Sequence, residues 1–295
     1  MAKIQIISDL HLEAKYPSGR TETLYESFEL KPTAPYLALL GNIGKVKDKA
    51  YFHFLRRMLK QYQIVFYVPG NREPYGSNWP ATTARLTEFA VDTDRQLAKM
   101  RPGSKMGKFV LMDKRRFDLN DDLTILGCTL FSTIEPQYQA DVKEHVDFQC
   151  IGHWTVEQHN SYHMQDARWL NAEVRNLAAN WPERKIIILT HYCPSYQATK
   201  LKYKDVNDTA RVPDTTDMTR AICWTNPNVV AWAFGHTGYN CDIVDNETQN
   251  KKRVITNQRG HFRTLVEEFD PDKTLDVELV TVGKPKSGNW TWWPW

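Results

Sequence analysis

Five short polar motifs carry side chains that could bind a metal ion or a phosphate group. Carboxylate, imidazole and amide groups are common ligands of divalent cations, and a guanidinium group binds phosphate oxygens in pairs. In chain order the motifs are SDLHLE with Asp9 and His11, GNIG with Asn42, PGNRE with Asn71 and Arg72, THYCP with His191, and GHTG with His236 and Gly238. We interpret them as parts of one site for metal or phosphate chemistry.

Each motif follows an apolar run that is typical of a β-strand, namely KIQII, YLALL, QIVFYV, KIIIL and VVAWAF. Helical patterns cover Asp48–Tyr62, Ala81–Met100 and His153–Trp181. Alternating strands and helices predict an α/β fold, in which ligands bind at the carboxyl ends of the strands. The chain shows neither an internal repeat nor a linker. We therefore expect one domain with two sheets, or one split sheet, between helices.

The order and spacing of the motifs resemble those of the calcineurin-like metallophosphoesterases, whose pattern is D-x-H, G-D, G-N-H-E, a later His and G-H-x-H. The resemblance covers roughly residues 4–260, and the words LGCTLFS, CWTNPNV and NQRG resemble a fungal branch of that family. It implies an α/β fold of the four-layer α/β/β/α sandwich type. We assign residues 1–265 to this domain, and residues 266–295 to a C-terminal strand and a Trp-rich tail, NWTWWPW, packed on the same domain.

The resemblance also implies roles for these residues. In the family the motifs bind two divalent metals, which clamp phosphoryl oxygens and activate a bridging hydroxide. The carried-over metal ligands are Asp9 and His11 for one metal, and Asn71, His191 and His236 for the other. We assign catalytic roles to Asp9, His11, Arg72 and His191, and substrate-binding roles to Asn42, Asn71, Arg72 and His236.

The chain departs from the family pattern at three positions. Asn42 stands where the family has a bridging carboxylate, and a neutral amide is a poor bridge between cations. Arg72 replaces the catalytic histidine and cannot give up a proton, because its pKa is above about 12. Gly238 stands at the position of the last histidine ligand and has no side chain to offer.

These departures change the expected cofactor. Asp9 is the one carboxylate left among the mapped ligands, so two cations would repel each other without compensation. The sequence therefore predicts one divalent metal (zinc, manganese or iron) on Asn71, His191 and His236, or no metal, with Arg72 in the cationic role. In the second case Arg72 should lie in the cleft within hydrogen-bond reach of Asp9 or of a bound anion.

Two hypotheses for function follow. The first is a divergent phosphoesterase with an eroded metal site, which binds an anionic or phosphorylated substrate and hydrolyses ordinary phosphoesters weakly or not at all. The second is a repurposed protein: a metal-free group-transfer or cyclising enzyme acting on a nucleotide- or tRNA-linked substrate, or a binding module without catalysis. The partner is then an anionic small molecule or a nucleotide- or RNA-linked substrate. The sequence indicates no oligomeric state.

Composition is that of an ordinary globular protein. The 295 residues are 25% charged and 41% hydrophobic, and the formal net charge of +3 is too small to indicate a polyanionic partner. No run of about 18 apolar residues is present, so we expect no membrane partner. The five scattered cysteines and an N-terminus that enters a strand at once predict a cytoplasmic protein with reduced thiols.

Overall fold

In a computed structural model, residues 2–15, 23–101, 103, 105–142, 145–199, 214–245, 251–261 and 264–278 are described. The strands are β1 Ala2–Ile7, β2 Tyr36–Leu40, β3 Ile64–Val68, β4 Lys108–Leu111, β5 Arg115–Asp118, β6 Leu123–Cys128, β7 Lys185–Thr190, β8 Val229–Phe234, β9 Asp242–Asp245, β10 Lys252–Thr256, β11 Gly260–His261, β12 Thr264–Leu265 and β13 Thr274–Val277. The helices are α1 Lys49–Leu59, α2 Trp79–Ala98, α3 Gln139–Val142, α4 Val146–Cys150, α5 Val156–Asn180 and α6 Ile222–Thr225. Short 3-10 turns cover Pro136–Tyr138 and Gln197–Thr199.

The strands form two main sheets. The first sheet has the order β13-β1-β2-β3-β4 and is parallel except for β13. The second has the order β5-β6-β7-β8-β10-β9, with a parallel centre and an antiparallel strand at each edge. A separate two-stranded hairpin joins β11 and β12. Because the central strands are parallel, their carboxyl ends meet on one side of the molecule.

The buried residues form three layers of core. Side chains alternate between the two faces of each strand, so that in β2 Ala38 and Leu40 pack between the two sheets while Leu37 and Leu39 pack under α1 and α2. On the far side, the apolar face of α5 covers the second sheet, and Trp232 belongs to that layer. The resulting order is helix, sheet, sheet, helix. The predicted four-layer α/β/β/α sandwich is confirmed.

Helix ends differ from the predicted ones by a few residues, because capping side chains fix them. The side chain of Asn78 accepts a hydrogen bond from the Ala81 backbone N–H at 2.9 Å, so α2 begins at Trp79. Thr155 and Gln158 form a capping box, so α5 begins at Val156 and Trp154 lies before the helix. The long helices themselves are where the apolar periodicity predicts them.

The C-terminal part of the chain is described as far as residue 278. Strand β13 pairs with β1, with Val277 opposite Ala2. The Trp-rich tail lies outside the described residues, and the domain limit at residue 265 stays a prediction. Within the described ranges, none of the helices has the length and apolar character that crossing a bilayer requires.

Candidate functional site

A cleft of about 720 Å³ lies at the carboxyl ends of the central strands. It brings together six of the seven residues that the sequence analysis assigned to the site: Asp9, His11, Asn42, Asn71, Arg72 and His236. Gly238 also lines it. The seventh, His191, is fully buried behind this surface and contacts Asn71. The strand-end motifs therefore converge on one place.

Asn42 and Asp9 are joined directly. The Asn42 side-chain N–H donates to Asp9 Oδ1 at 3.0 Å, and the backbone N–H of His236 donates to Asp9 Oδ2 at 2.9 Å. The Asn42 side-chain oxygen accepts a hydrogen bond from the Arg72 backbone N–H at 2.9 Å. Both side chains are buried. A polarised N–H group thus points at Asp9 from the position where the family would place a bridging carboxylate.

Glu73 fixes the turn that carries Asn42. This fully buried carboxylate accepts hydrogen bonds from the backbone N–H groups of Asn42, Ile43 and Gly70 at 2.9–3.0 Å, and from the Tyr67 hydroxyl at 2.7 Å. Burial raises the pKa of Glu73 to about 7, against the opposing effect of these donors. Glu73 therefore positions the Asn42 and Asn71 turns relative to each other.

Two hydrogen-bond acceptors face each other in this part of the site, His191 Nε2 and Asn71 Oδ1. His191 Nδ1 lies 2.7 Å from the Leu40 carbonyl, which can only accept, so Nδ1 carries the hydrogen. Burial lowers the pKa of His191 to about 3, which leaves Nε2 with a lone pair at neutral pH. The Asn71 amide N–H group donates to both oxygens of Asp147, at 2.8 and 3.0 Å, which turns Asn71 Oδ1 toward His191 Nε2 at 3.0 Å.

His236 completes this side of the cleft. Its Nδ1 has no hydrogen-bond partner among the described residues, and its Nε2 lies 3.3 Å from Asp214 Oδ1. Burial alone would lower the pKa of His236, but the nearby carboxylates, Asp214 above all, outweigh burial and raise it. The imidazole rings of His191 and His236 have centroids 4.9 Å apart.

Arg72 lines the cleft but does not pair with Asp9. Its guanidinium Nη1 lies 3.9 Å from Glu13 Oε1 and its Cζ atom 5.5 Å from the centre of the Tyr75 ring. Burial would raise the pKa of Glu13, but His11 and Arg72 outweigh it and lower that pKa. No ion pair joins Arg72 to Asp9, whose oxygens accept from Asn42 and His236 instead. Of the two expected partners of Arg72, Asp9 or a bound anion, the described contacts do not include Asp9, and the anion stays a prediction; the position of Arg72 in the cleft is as expected.

The two metal places of the family differ in how well this chain suits them. At the first, which Asp9 and His11 would serve, Asp9 accepts a hydrogen bond from the Asn42 amide. Asn42 brings no carboxylate and Gly238 no side chain, so the residues do not fit a cation there. At the second, two acceptors 3.0 Å apart and the unpartnered His236 Nδ1 are a donor set that fits one cation. Among the described residues, no group of three or more His, Cys, Asp or Glu could hold a metal ion, so the second place depends on the Asn71 oxygen.

Sequence reasoning missed two carboxylates at this site. Asp147 lies in α4 and orients Asn71, and Asp214 lies in an irregular segment beside His236. No motif or periodic pattern marks either position. The cleft is lined by four acidic side chains and one Lys or Arg side chain, Arg72; the acidic ones are Asp9, Asp214, Glu267 and Glu268. With histidines neutral, this lining has an excess of three negative charges, which favours one cation more than the motifs alone indicated.

The comparisons with known proteins place the fold. No protein-family model matches the chain. The chain is 25% identical, in an alignment of 302 residues, to the uncharacterized protein L509 of Acanthamoeba polyphaga mimivirus, over 96% of this chain and 99% of the viral protein. The relative is viral, so the predicted fungal branch has no support. The crystal structure of the phosphopantetheinyl hydrolase PptH from Mycobacterium tuberculosis matches with a TM-score of 0.60 and 16% identity, over 89% of this chain and 91% of that chain. The chain therefore has a phosphoesterase-like α/β sandwich fold.

Proposed function

We propose that this protein binds a phosphorylated ligand in the cleft, with at most one divalent cation, and hydrolyses ordinary phosphoesters weakly or not at all. The cation would be zinc, manganese or iron, held by Asn71, His191 and His236. A bound divalent cation would supply a positive charge for phosphoryl oxygens. Arg72 would supply further donors from the other side of the same cleft.

The observation that carries this proposal is the 3.0 Å hydrogen bond from Asn42 to Asp9. Two-metal phosphoester hydrolysis needs paired cations about 3.5–4 Å apart, which clamp the attacking and the leaving oxygen. An amide N–H directed at Asp9 repels a cation there, and Asn42 brings no negative charge to share between two cations. The second metal position thus keeps three side-chain ligands without the bridging carboxylate. The first keeps Asp9 and His11 but lacks both the bridge and the last histidine.

Support for a phosphorylated ligand comes from the fold and from Arg72. One solved structure with a similar fold is named a phosphopantetheinyl hydrolase. The guanidinium of Arg72 is a third exposed, lines the cleft and makes a single long ion pair. Its planar fork of N–H groups matches two phosphate oxygens and needs no proton exchange, so it can hold a phosphate but cannot act as an acid.

Metal content and turnover test the proposal together. Protein purified without chelators and dialysed extensively should contain no more than one equivalent of Zn, Mn or Fe by plasma mass spectrometry. Methyl phosphate should bind by titration calorimetry. Turnover of p-nitrophenyl phosphate and of bis-p-nitrophenyl phosphate should stay far below the roughly 10 per second of a typical enzyme, with or without added Mn²⁺.

A double variant, His191→Ala with His236→Ala, separates the cation from the rest of the site. It should lose the metal and keep residual phosphate binding through Arg72. Two tightly held equivalents of metal in the wild type, or rapid turnover of either ester, would contradict the proposal. So would failure of every phosphate ester to bind.

A further inference from the structure

We infer that the ligand is a phosphate monoester whose alcohol is a flexible, apolar arm, with Leu265 and Val146 as the residues that select the arm. This inference rests on the proposed function and adds the class of substrate to it. It depends on the size of the cleft and on the chemistry of its rim, neither of which the five motifs indicated.

The cleft is too large for a phosphate group alone. A phosphoryl group occupies roughly 100 Å³, about the space of three waters at about 30 Å³ each. The cleft has about 720 Å³, within the range of about 300–1,000 Å³ that holds a ligand of drug size. Most of the cleft is therefore available to the rest of the ligand.

The rim of the cleft carries exposed apolar side chains beside charged ones, whereas the floor holds the polar motif residues. Of seven large hydrophobic side chains that are exposed among the described residues, two line this cleft: Leu265, 62% exposed and the most exposed of the seven, and Val146, 41% exposed. Val266 and Tyr239 also line it. Leu265 ends the small β11–β12 hairpin, and Val146 begins α4. Neither Leu265 nor Val146 belongs to the five polar motifs, although Asp147 of α4 orients Asn71.

The charged residues described at the rim favour a ligand with a single phosphate over a polyanion. Glu267 and Glu268 follow the hairpin and line the same cleft, and both are exposed. Nucleic-acid sites neutralise several phosphates with Lys and Arg, whereas Arg72 is the one such residue among the described lining residues. A small ester with one phosphate on the floor and a neutral, apolar arm on the rim satisfies both regions.

A chain-length series tests the inference. Methyl, butyl and octyl phosphate are titrated into the wild-type protein by calorimetry, below the micelle concentration and with octyl alcohol as a ligand without phosphate. Full burial of a methylene tightens binding about fourfold, and burial on one side about twofold. We expect Kd to fall by about 15-fold from butyl to octyl phosphate, and octyl alcohol to bind far more weakly.

Three variants identify the rim as the cause. Leu265→Ser and Val146→Ser should each lower the butyl-to-octyl ratio to about fivefold or less and leave the Kd of methyl phosphate unchanged. Val244→Ser is the matched control, because Val244 is 48% exposed on β9 and does not line the cleft. It should behave like the wild type.

The outcomes separate this inference from the proposed function. Equal Kd values across the series, or equal ratios in all variants, would overturn the apolar arm while phosphate binding stands. Failure of methyl phosphate and every longer ester to bind would overturn both. If Leu265→Ser changes the mass in light scattering and leaves the ratio unchanged, the rim is a contact between protein copies and the inference is wrong.

Discussion

The substitution Asn42→Asp should convert a stabilising hydrogen bond into a buried repulsion that a cation can relieve. In the wild type, Asn42 donates to Asp9 Oδ1 at 3.0 Å, and both side chains are buried. Two ionised carboxylates at that separation repel by about 5 kcal/mol at an effective dielectric constant near 20. The pair avoids this repulsion by retaining one proton, which raises the pKa of one carboxyl group in the folded state.

The sign of the pH dependence follows from that raised pKa. Keeping a carboxyl group with an ordinary pKa near 3.9 protonated costs about 1.5 kcal/mol at pH 5 and more than 5 kcal/mol at pH 8. At pH 8 both carboxyl groups ionise instead, so the loss of folding stability is limited to their repulsion of about 5 kcal/mol. The variant should therefore lose about 3 kcal/mol more stability at pH 8 than at pH 5. The wild type has no such pair at this position.

Urea unfolding followed by tryptophan fluorescence measures this, since the chain has ten tryptophans. The free energy of unfolding is compared at pH 5 and pH 8, with and without Mn²⁺. At 100 times its Kd, a cation that binds the folded state should restore about 2.7 kcal/mol to the variant at pH 8. It should restore much less to the wild type, whose Asn42 does not add a carboxylate.

Asn257→Asp provides the control for placing a carboxylate on a buried asparagine. Asn257 is buried, and its side-chain N–H group donates to the carbonyls of Ile6 and Asp270, both at 2.7 Å. This variant should also lose stability but gain nothing from Mn²⁺. If Asn42→Asp is as stable as the wild type at pH 8, or if Mn²⁺ restores both variants equally, the account of the Asp9–Asn42 pair is refuted.

Three other outcomes follow from the site and the fold. The triple variant Asn42→Asp, Arg72→His, Gly238→His should bind two equivalents of divalent metal by mass spectrometry. It should hydrolyse p-nitrophenyl phosphate on the order of 100-fold faster than the wild type. A histidine side chain has room at position 238, because a Cβ there meets open space, although the φ of +62° favours glycine. Arg72→Ala should weaken methyl phosphate binding about 10- to 100-fold in calorimetry at unchanged Tm, with Arg72→Lys intermediate; an unchanged Kd would show that the guanidinium does not hold the ligand. Burial lowers the pKa of His159 to about 3, so the stability that its neutral ring supplies is complete above pH 6.5 and is lost as the pH falls. The variant His159→Gln keeps an acceptor for the Ser132 N–H. Between pH 7.5 and pH 5 its free energy of unfolding in urea should fall by about 2 kcal/mol less than that of the wild type.

The sequence could predict the fold because the apolar runs and the polar motifs indicate the same arrangement of parallel strands with polar residues at their carboxyl ends. Because the carboxyl ends of neighbouring parallel strands lie at one edge of a sheet, Asp9, Asn42 and Asn71 come together in almost every such arrangement. Glu73 was visible within PGNRE, but two of the three backbone N–H groups that donate to it belong to Asn42 and Ile43, 31 and 30 residues earlier. Spacing within a motif does not show such contacts.

The electrostatics of the site could not be predicted in the same way. Asp147 contacts Asn71 from the short helix α4, and Asp214 lines the cleft from an irregular segment. Both segments are too short or too irregular for a periodic pattern to give a side chain a direction. A charge count over the motifs alone therefore underestimated the negative charge beside Asn71 and His236. The motifs likewise did not show that Asp9 accepts a hydrogen bond from Asn42, whose side-chain nitrogen lies 3.0 Å away.

Hydrogen bonds within the protein hold the backbone of the cleft in an uncommon conformation. Asp9, His11, Asn42 and His236 have φ values of 52°, 49°, 53° and 72°, a region that costs a non-glycine residue of order 1 kcal/mol or more. Hydrogen bonds within the protein hold these conformations: the Asp9 N–H donates to the Gly41 carbonyl and the His11 N–H to the Asn42 carbonyl, both at 3.0 Å. Because these bonds and the Glu73 carboxylate fix the turns, we expect that replacing one of the proposed metal ligands leaves the cleft intact. Under the proposed function, this fixed backbone would keep the polar floor preorganised for a phosphate with one cation or with none.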